Sequence, residues 1–180
     1  LEKVQESTSR ALAIDVYVDG RYTSPSTTDL REDRLKSFVD EAVALTRALQ
    51  EDPFRQIPDP ALYEGRSEAE LDLVDQTLAG LGMGQREEWC KVLDEHSHGH
   101  DKVISATSTV TDSHFVGAEA SSNGFSGLRE RTSLWMGADV TVQDEGDKRP
   151  EDWFWAGARH APDVPEPEVL GKGALELALK

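Results

Sequence analysis

The chain has almost no sulfur chemistry available to it. Cys90 is the one cysteine in 180 residues, which excludes an internal disulfide. The fold must therefore rest on burial and hydrogen bonds, and a reducing, cytoplasmic setting is the expectation. Basic residues are scarce: 19 Lys and Arg against 35 Asp and Glu leave a formal charge of −16. Such a field repels phosphate backbones and anionic headgroups, so direct binding to nucleic acid or to a membrane is disfavoured. No apolar run approaches a signal-peptide core or a membrane span. No strand pattern leads through a Gly-rich turn into a helix, so nothing supports a dinucleotide or phosphate-loop site.

What is present suffices for a core. With 37% apolar residues, a chain of this length buries roughly two thirds of the surface its unfolded form exposes. Residues 1–180 are read as one α+β domain with a Pro-rich connector at 51–65. Lys180 falls in a helical pattern without a stop signal, so the domain is expected to be a piece of a longer chain.

In "ALAIDVYVDGRYTSPSTTDL", Leu12, Ile14, Val16 and Val18 alternate with other residues up to Asp19-Gly20. This is a β-hairpin signature, with Pro25 ending the second arm. Asp29 and Glu32 offer a capping box for a helix in which Leu35, Phe38, Val39, Ala42, Leu45 and Leu49 recur at three- and four-residue steps. Pro53, Pro58 and Pro60 exclude regular structure in the connector. Ser67 is then expected to cap a second helix, with Leu71, Val74 and Leu78 on its inner face. After "GLGMG" a third helix carries Trp89, Val92 and Leu93, and the two would form an αα-hairpin. "KVISATSTVTD", "SHFVGAEASSNGF", "RTSLWMGADVTVQDEGD" and "EDWFWAGARH" read as strands, with "DEGD" a hairpin turn. Pro162, Pro165 and Pro167 introduce a final amphipathic helix, "EVLGKGALELALK". The order implies a twisted, mostly antiparallel sheet with helices packed on one face.

Several stretches could carry chemistry. "EHSHGHD", residues 95–101, spaces His96, His98 and His100 two apart, as metal ligands on an extended strand would be. Gly99 and the flanking acids argue instead for a solvent loop, and His114 and His160 stand apart. Asp112, Ser113 and His114 are the residue types of a hydrolase triad, yet neighbours on a strand point to opposite faces and cannot relay a proton among themselves. Cys90 lies among apolar residues with nothing nearby to activate it. Trp153 and Trp155 share one strand face, which suits cross-strand packing better than a ligand platform. The acid-rich "YEGRSEAELD" reads as a solvated face.

"SSNGFSG", residues 121–127, is different. Asn123-Gly124 is a turn dipeptide that tolerates positive φ, and the large Phe125 stands among small residues. It is either a β-turn with Phe125 tucked into a core or a surface loop that lets an extended peptide or partner strand approach. Ser122, Asn123, Gly124 and Phe125 are therefore the candidate peptide- or partner-contact residues.

"SSNGFSG", followed by "RTSLWMGADVTVQDEGDKRPEDWFWAGARH" and "EVLGKGALELALK", resembles the first domain of the TldD/PmbA family, more closely its PmbA (TldE) branch. In that branch a Ser-Asn-Gly-Phe motif precedes a hairpin and an aromatic strand ending in Ala-Arg. Upstream, "VDGRYTSPSTTDLREDRLKSFVDEAVALTRALQEDP" looks like that domain's hairpin, threonine-rich arm and Ala-rich helix, so the resemblance spans nearly the whole chain. The chain departs from the family at Ala11 and Asp15, where members usually carry glycine and arginine, and "HSHGH" matches no family motif.

The resemblance implies a cytoplasmic peptidase system in which TldD-like and PmbA-like subunits pair, or one subunit forms a homodimer. The complex degrades unfolded peptides or matures peptide precursors, and members have also been labelled modulators of DNA gyrase. It further implies a zinc in the TldD-like subunit, held by His-Glu-x-x-x-His downstream of this domain; the imidazoles hold the metal and the glutamate activates its water. The present sequence has no His-Glu pair, only the reversed Glu95-His96. On this reading the domain carries no catalytic residue and no cofactor, and "EHSHGHD" is a loop between the third helix and the sheet. The rival expectation is a stand-alone acidic binding module whose "HSHGH" loop captures zinc, nickel or copper.

Overall fold

In the computed structural model, which describes residues 3–67 and 69–180 and only the backbone of Ala79, the first hairpin forms where the alternation places it. β1 (Leu12–Ala13) and β2 (Val16–Val18) run out to the turn, and β3 (Arg21–Thr23) and β4 (Ser26–Thr27) return. Val16 pairs with Thr23, Tyr17 with Tyr22 and Val18 with Arg21. Asp19 and Gly20 both hold positive φ, 48° and 71°, as a type I′ turn requires. Pro25 interrupts the second arm without ending it: its carbonyl accepts the Ile14 N–H at 3.0 Å, and β4 then pairs with β1.

Helix α1 (Glu32–Arg47) follows, but not through the expected capping box. The N-cap is Arg31, without a side-chain cap bond. Asp29 instead accepts hydrogen bonds from the Arg31 side chain and main chain, so the local ion pair has taken the carboxylate. Of the apolar stripe, only Ala42 is buried, joined by Thr46. Leu45 is 55% exposed. Thr46 satisfies its hydroxyl by donating to the Ala42 carbonyl at 2.7 Å and meeting the Thr23 hydroxyl at 2.6 Å. Arg21 ties the hairpin to the far end of this helix: its guanidinium donates to the Leu49 and Asp19 carbonyls and to Glu51.

The described residues fall into two compact units. The first holds residues 1–66 and 121–125, hence the whole connector; the second holds 67–120 and 126–180.

In the second unit the chain forms α2 (Gln76–Ala79), α3 (Met83–Ser97), β5 (Val103–Ala120), β6 (Ser126–Val142), β7 (Glu151–Ala158) and α4 (Pro167–Ala178). The strands make one antiparallel sheet in the order β5-β6-β7. Alternate β6 residues, Thr132, Leu134, Met136, Ala138, Val140 and Val142, are buried. They face α3 and α4 through Leu93, Leu170, Ala174 and Ala178. Each fully buried leucine or valine contributes about 1.5–3 kcal/mol. The two helices approach closely because Gly171 has no side chain: a Cβ there would lie 2.6 Å from the Leu93 carbonyl oxygen.

Four expectations are corrected here. The second helix does not start at Ser67: Asp75 caps α2, accepting from the Thr77 N–H. The segment before it is held extended instead, because the Thr132 N–H donates to the Leu73 carbonyl and the Asp75 N–H to the Thr132 hydroxyl. Pairing with a distant strand thus overrides local propensity. The packed helix pair is accordingly α3 with α4. The first two expected strands are one, because 112–114 pairs without a break against 132–134. Finally, Glu95, His96 and Ser97 belong to the last turn of α3, so only part of "EHSHGHD" is loop. The "DEGD" turn forms as expected, with Gln143 donating its amide to the Asp144 and Gly146 carbonyls.

Candidate functional site

The register of β5 and β6 runs to Ala120 opposite Ser126, which leaves 121–125 as the turn. Its closure is short-range: Ser121 N–H donates to the Phe125 carbonyl at 2.9 Å and Gly124 N–H to the Ser121 carbonyl at 3.0 Å. Gly124 sits at φ 94° with nothing near the place of a Cβ, so the backbone conformation, not crowding, demands glycine.

Asn123 points back to the connector. Its amide Nδ2 donates to the Pro58 carbonyl at 2.6 Å and the Tyr63 hydroxyl at 3.0 Å, and its Oδ1 accepts the Phe125 N–H. Both of its donors are thereby used. Pro58 has no N–H of its own, and its free carbonyl is what the turn takes up. Phe125 packs on Tyr63 with ring centroids 4.8 Å apart, and the Arg66 guanidinium lies 5.4 Å from its centroid. Asp59 holds the connector in the matching shape by capping a 3-10 turn over Pro60–Tyr63. The motif thus divides in two. Asn123 and Phe125 clasp the connector, while Ser122 and Gly124 stay exposed.

The other candidates do not converge. His96 Nδ1 contacts the Val92 carbonyl at 2.8 Å, His98 Nδ1 the Asp94 carbonyl at 3.1 Å, and His100 Nδ1 accepts the Lys102 N–H at 3.1 Å. Helix, cap and turn aim the rings at separate backbone groups. Among the described residues no group of three His, Cys, Asp or Glu side chains is placed to hold a metal ion. Asp112 pairs with Arg86 at 2.6 Å, Ser113 with Ser133 at 2.8 Å and His114 with Glu130 at 2.8 Å, so the three hold different partners. Burial pushes the Cys90 thiol up, away from reactivity. Of the acid-rich 63–72 patch, Glu68 lies outside the described residues.

Sequence reasoning missed two features. One is the node around buried Thr132, whose hydroxyl accepts from the Asp75 N–H and donates to the Arg159 carbonyl. Asp75 in turn accepts from the Thr77 hydroxyl and the Ala161 N–H, which hold its carboxyl down at about 2. The other is Tyr63, sixty residues from Asn123. A threonine on the inner face of a strand and a lone tyrosine among prolines were the available signals. Two shallow grooves, of about 450 Å³ beside α4 with Phe154 and Val169, and about 350 Å³ beside Glu70, Asp72 and Glu130, contain none of the turn residues. No helix among the described residues is long and apolar enough to cross a membrane.

No family model and no curated protein matches the sequence. Solved structures do. A protein of Bacteroides thetaiotaomicron, named as a candidate modulator of DNA gyrase, is 30% identical and superimposes with TM-score 0.92 over 98% of this chain and 40% of that one. Its counterpart by name from Thermotoga maritima is 17% identical, with TM-score 0.73 over 94% of this chain and 37% of its own. TldE from Thermococcus kodakarensis is 12% identical, with TM-score 0.68 over 94% and 37%. The last two show the fold alone. The chain spans about 40% of the length of the first of these structures.

Proposed function

This chain belongs to the TldD/PmbA family by its fold, and from that premise we propose that it is the N-terminal domain of a PmbA/TldE-like subunit. In this reading it guides unfolded peptides or peptide precursors to a TldD-like zinc subunit in the cytoplasm and performs no catalysis itself. The observation that carries the reading is the superposition at TM-score 0.92 over 98% of the chain. Three features support it. None of the five histidines is followed by glutamate, so a His-Glu-x-x-x-His helix has to come from elsewhere. β5 and β7 each pair on one side only among the described strands, and an open strand edge can hold an extended backbone by β-augmentation. Ser122 and Gly124 leave the turn accessible to such a backbone.

The test is reconstitution. The full-length protein is expressed from its source with and without the TldD-like subunit, and turnover of an unstructured peptide is followed by mass spectrometry. The expected result is co-elution of the two subunits and peptide cleavage that needs both. Failure to associate, together with unchanged turnover by the TldD-like subunit alone, overturns the proposal.

A further inference from the structure

The sheet has a second face, opposite α3 and α4, that no helix of its unit covers among the described residues. Register places Thr107, Asp139 and Trp153 in one row across the three strands, then Thr109, Gly137 and Trp155, then Thr111, Trp135 and Gly157; past β7 the face continues on two strands, with Ser113 beside Ser133 and Phe115 beside Arg131. These residues alternate with the buried Leu134, Met136, Ala138 and Val140, so they point away from α3 and α4. Trp135 is 51% exposed and Trp153 59%.

The face is built, and it is flat. A Cβ on Gly157 would lie 2.2 Å from the Trp135 indole, and one on Gly137 2.6 Å from the Trp155 indole. Each indole therefore lies across the glycine of the neighbouring strand, and the glycines are the floor that lets it lie down. Asp139 is the one charge in the three indole rows, and the charges of this face, Glu151 on one side and Arg131, Arg129 and Glu119 on the other, border them. Depletion of charge with enrichment of tryptophan is the composition of a buried interface core, not of a solvated sheet face. Both grooves described above lie elsewhere, and a flat face of indoles laid over glycines suits a packed layer of polypeptide.

We infer that this face is an interdomain interface, and that its occupant is the part of a family-length polypeptide that these 180 residues do not include. The length of the matched structure argues for that occupant over a second copy. This chain accounts for 40% of it; in a polypeptide of that length the remainder would be the larger body, held covalently at high effective concentration. One face of the sheet is already filled by this domain's own helices, and the indole face is the one left to receive it. The inference does not depend on the peptidase reading.

The test compares the 180-residue chain with the native protein extended to the length of its solved relatives. Both are treated with N-bromosuccinimide, oxidation of Trp135 and Trp153 is timed by peptide mass, and molar mass is measured by light scattering. In the monomeric long chain both indoles should oxidise at least tenfold more slowly than in the short one. Thr109→Glu supplies an independent reading. It should lower Tm by roughly 5 °C or more in the long chain and by under about 1 °C in the short one. Equal oxidation rates in the two chains, protection confined to fractions of dimer mass, protection that appears only on adding a peptide, or a native chain that stops at Lys180 each overturns the inference.

Discussion

The two units are held by different forces. In the second, Leu93, Leu134, Val140 and Leu170 are fully buried, and helices and sheet share an apolar core. In the first, Ala42 and Thr46 are the buried residues, while Phe54 is 93% and Leu62 75% exposed. What fixes it is a set of polar clasps: Arg21 on Leu49, Asp19 and Glu51, Thr23 on Thr46, and Asn123 on Pro58 and Tyr63. Burial gives a cooperative body, whereas separate hydrogen bonds at about 1 kcal/mol each give local and separable stability. The sharpest way to break this comparison is to truncate one leucine in each. Leu134→Ala should lower global stability by about 2–5 kcal/mol in urea unfolding. Leu45→Ala, at 55% exposure, should change it by less than about 0.5 kcal/mol. Similar losses at both sites would show that the first unit has a core of its own.

Next in size are the hydrogen-bond nodes. Thr132→Val keeps the shape of a fully buried side chain but orphans the Asp75 N–H and the Arg159 carbonyl, for an expected loss of about 1–3 kcal/mol. Because the node sits in the cooperative unit, the loss should appear as a shifted global midpoint. Asn123→Ala leaves the Pro58 carbonyl and Tyr63 hydroxyl to water and should cost about 1 kcal/mol. Here the effect should be local. Amide exchange at Leu62 and Glu64 should quicken roughly five- to tenfold while the amides of β6 keep their protection, as measured by hydrogen exchange. Uniform acceleration across both units would merge them into one cooperative body.

The same contrast decides what the sequence showed. The 12–23 hairpin was legible because its partners are neighbours and Asp19-Gly20 specifies the turn. Helices α1, α3 and α4 were legible from period, but the side of α1 that is buried was not, since it centres on Thr46 and is satisfied by Thr23 rather than by leucines. The helix expected from Ser67 failed because Thr132, some sixty residues on, ties Leu73 and Asp75 into an extended segment. The turn at 121–125 stood out by its composition, and its open half, Ser122 and Gly124, follows from turn chemistry. Its clasping half could not be read, because the order that brings Pro58 and Tyr63 to Asn123 is tertiary. Trp153 and Trp155 are expected from their shared strand face to pack across strands; Trp155 does lie over Gly137, whereas Trp153 is 59% exposed, and alternation alone does not say which side α3 and α4 would leave bare.

The smallest expected effects are those of pH, and they separate the units again. In the second unit the Thr77 hydroxyl and the Ala161 N–H hold Asp75 at about 2, below its ordinary 3.8. A depressed carboxyl stabilises fully above the ordinary value, and that contribution is lost as pH falls from about 4 towards 2. His160 has the opposite sign. Its contact with the Asp72 carbonyl raises it above 6.5, so its contribution is full below 6.5 and is lost as pH rises through the raised value. In the first unit Asp29 is also held at about 2, by Arg31. That pair lies on an exposed surface, where solvent and salt screen it. Asp75→Asn, which keeps a capping side chain, should therefore flatten the acid limb of stability against pH in urea unfolding. Asp29→Asn should leave that limb unchanged in 0.5 M salt. A flattened limb from Asp29→Asn would place part of the cooperative stability in the exposed pairs of the first unit, and the division between burial and clasps would have to be redrawn there.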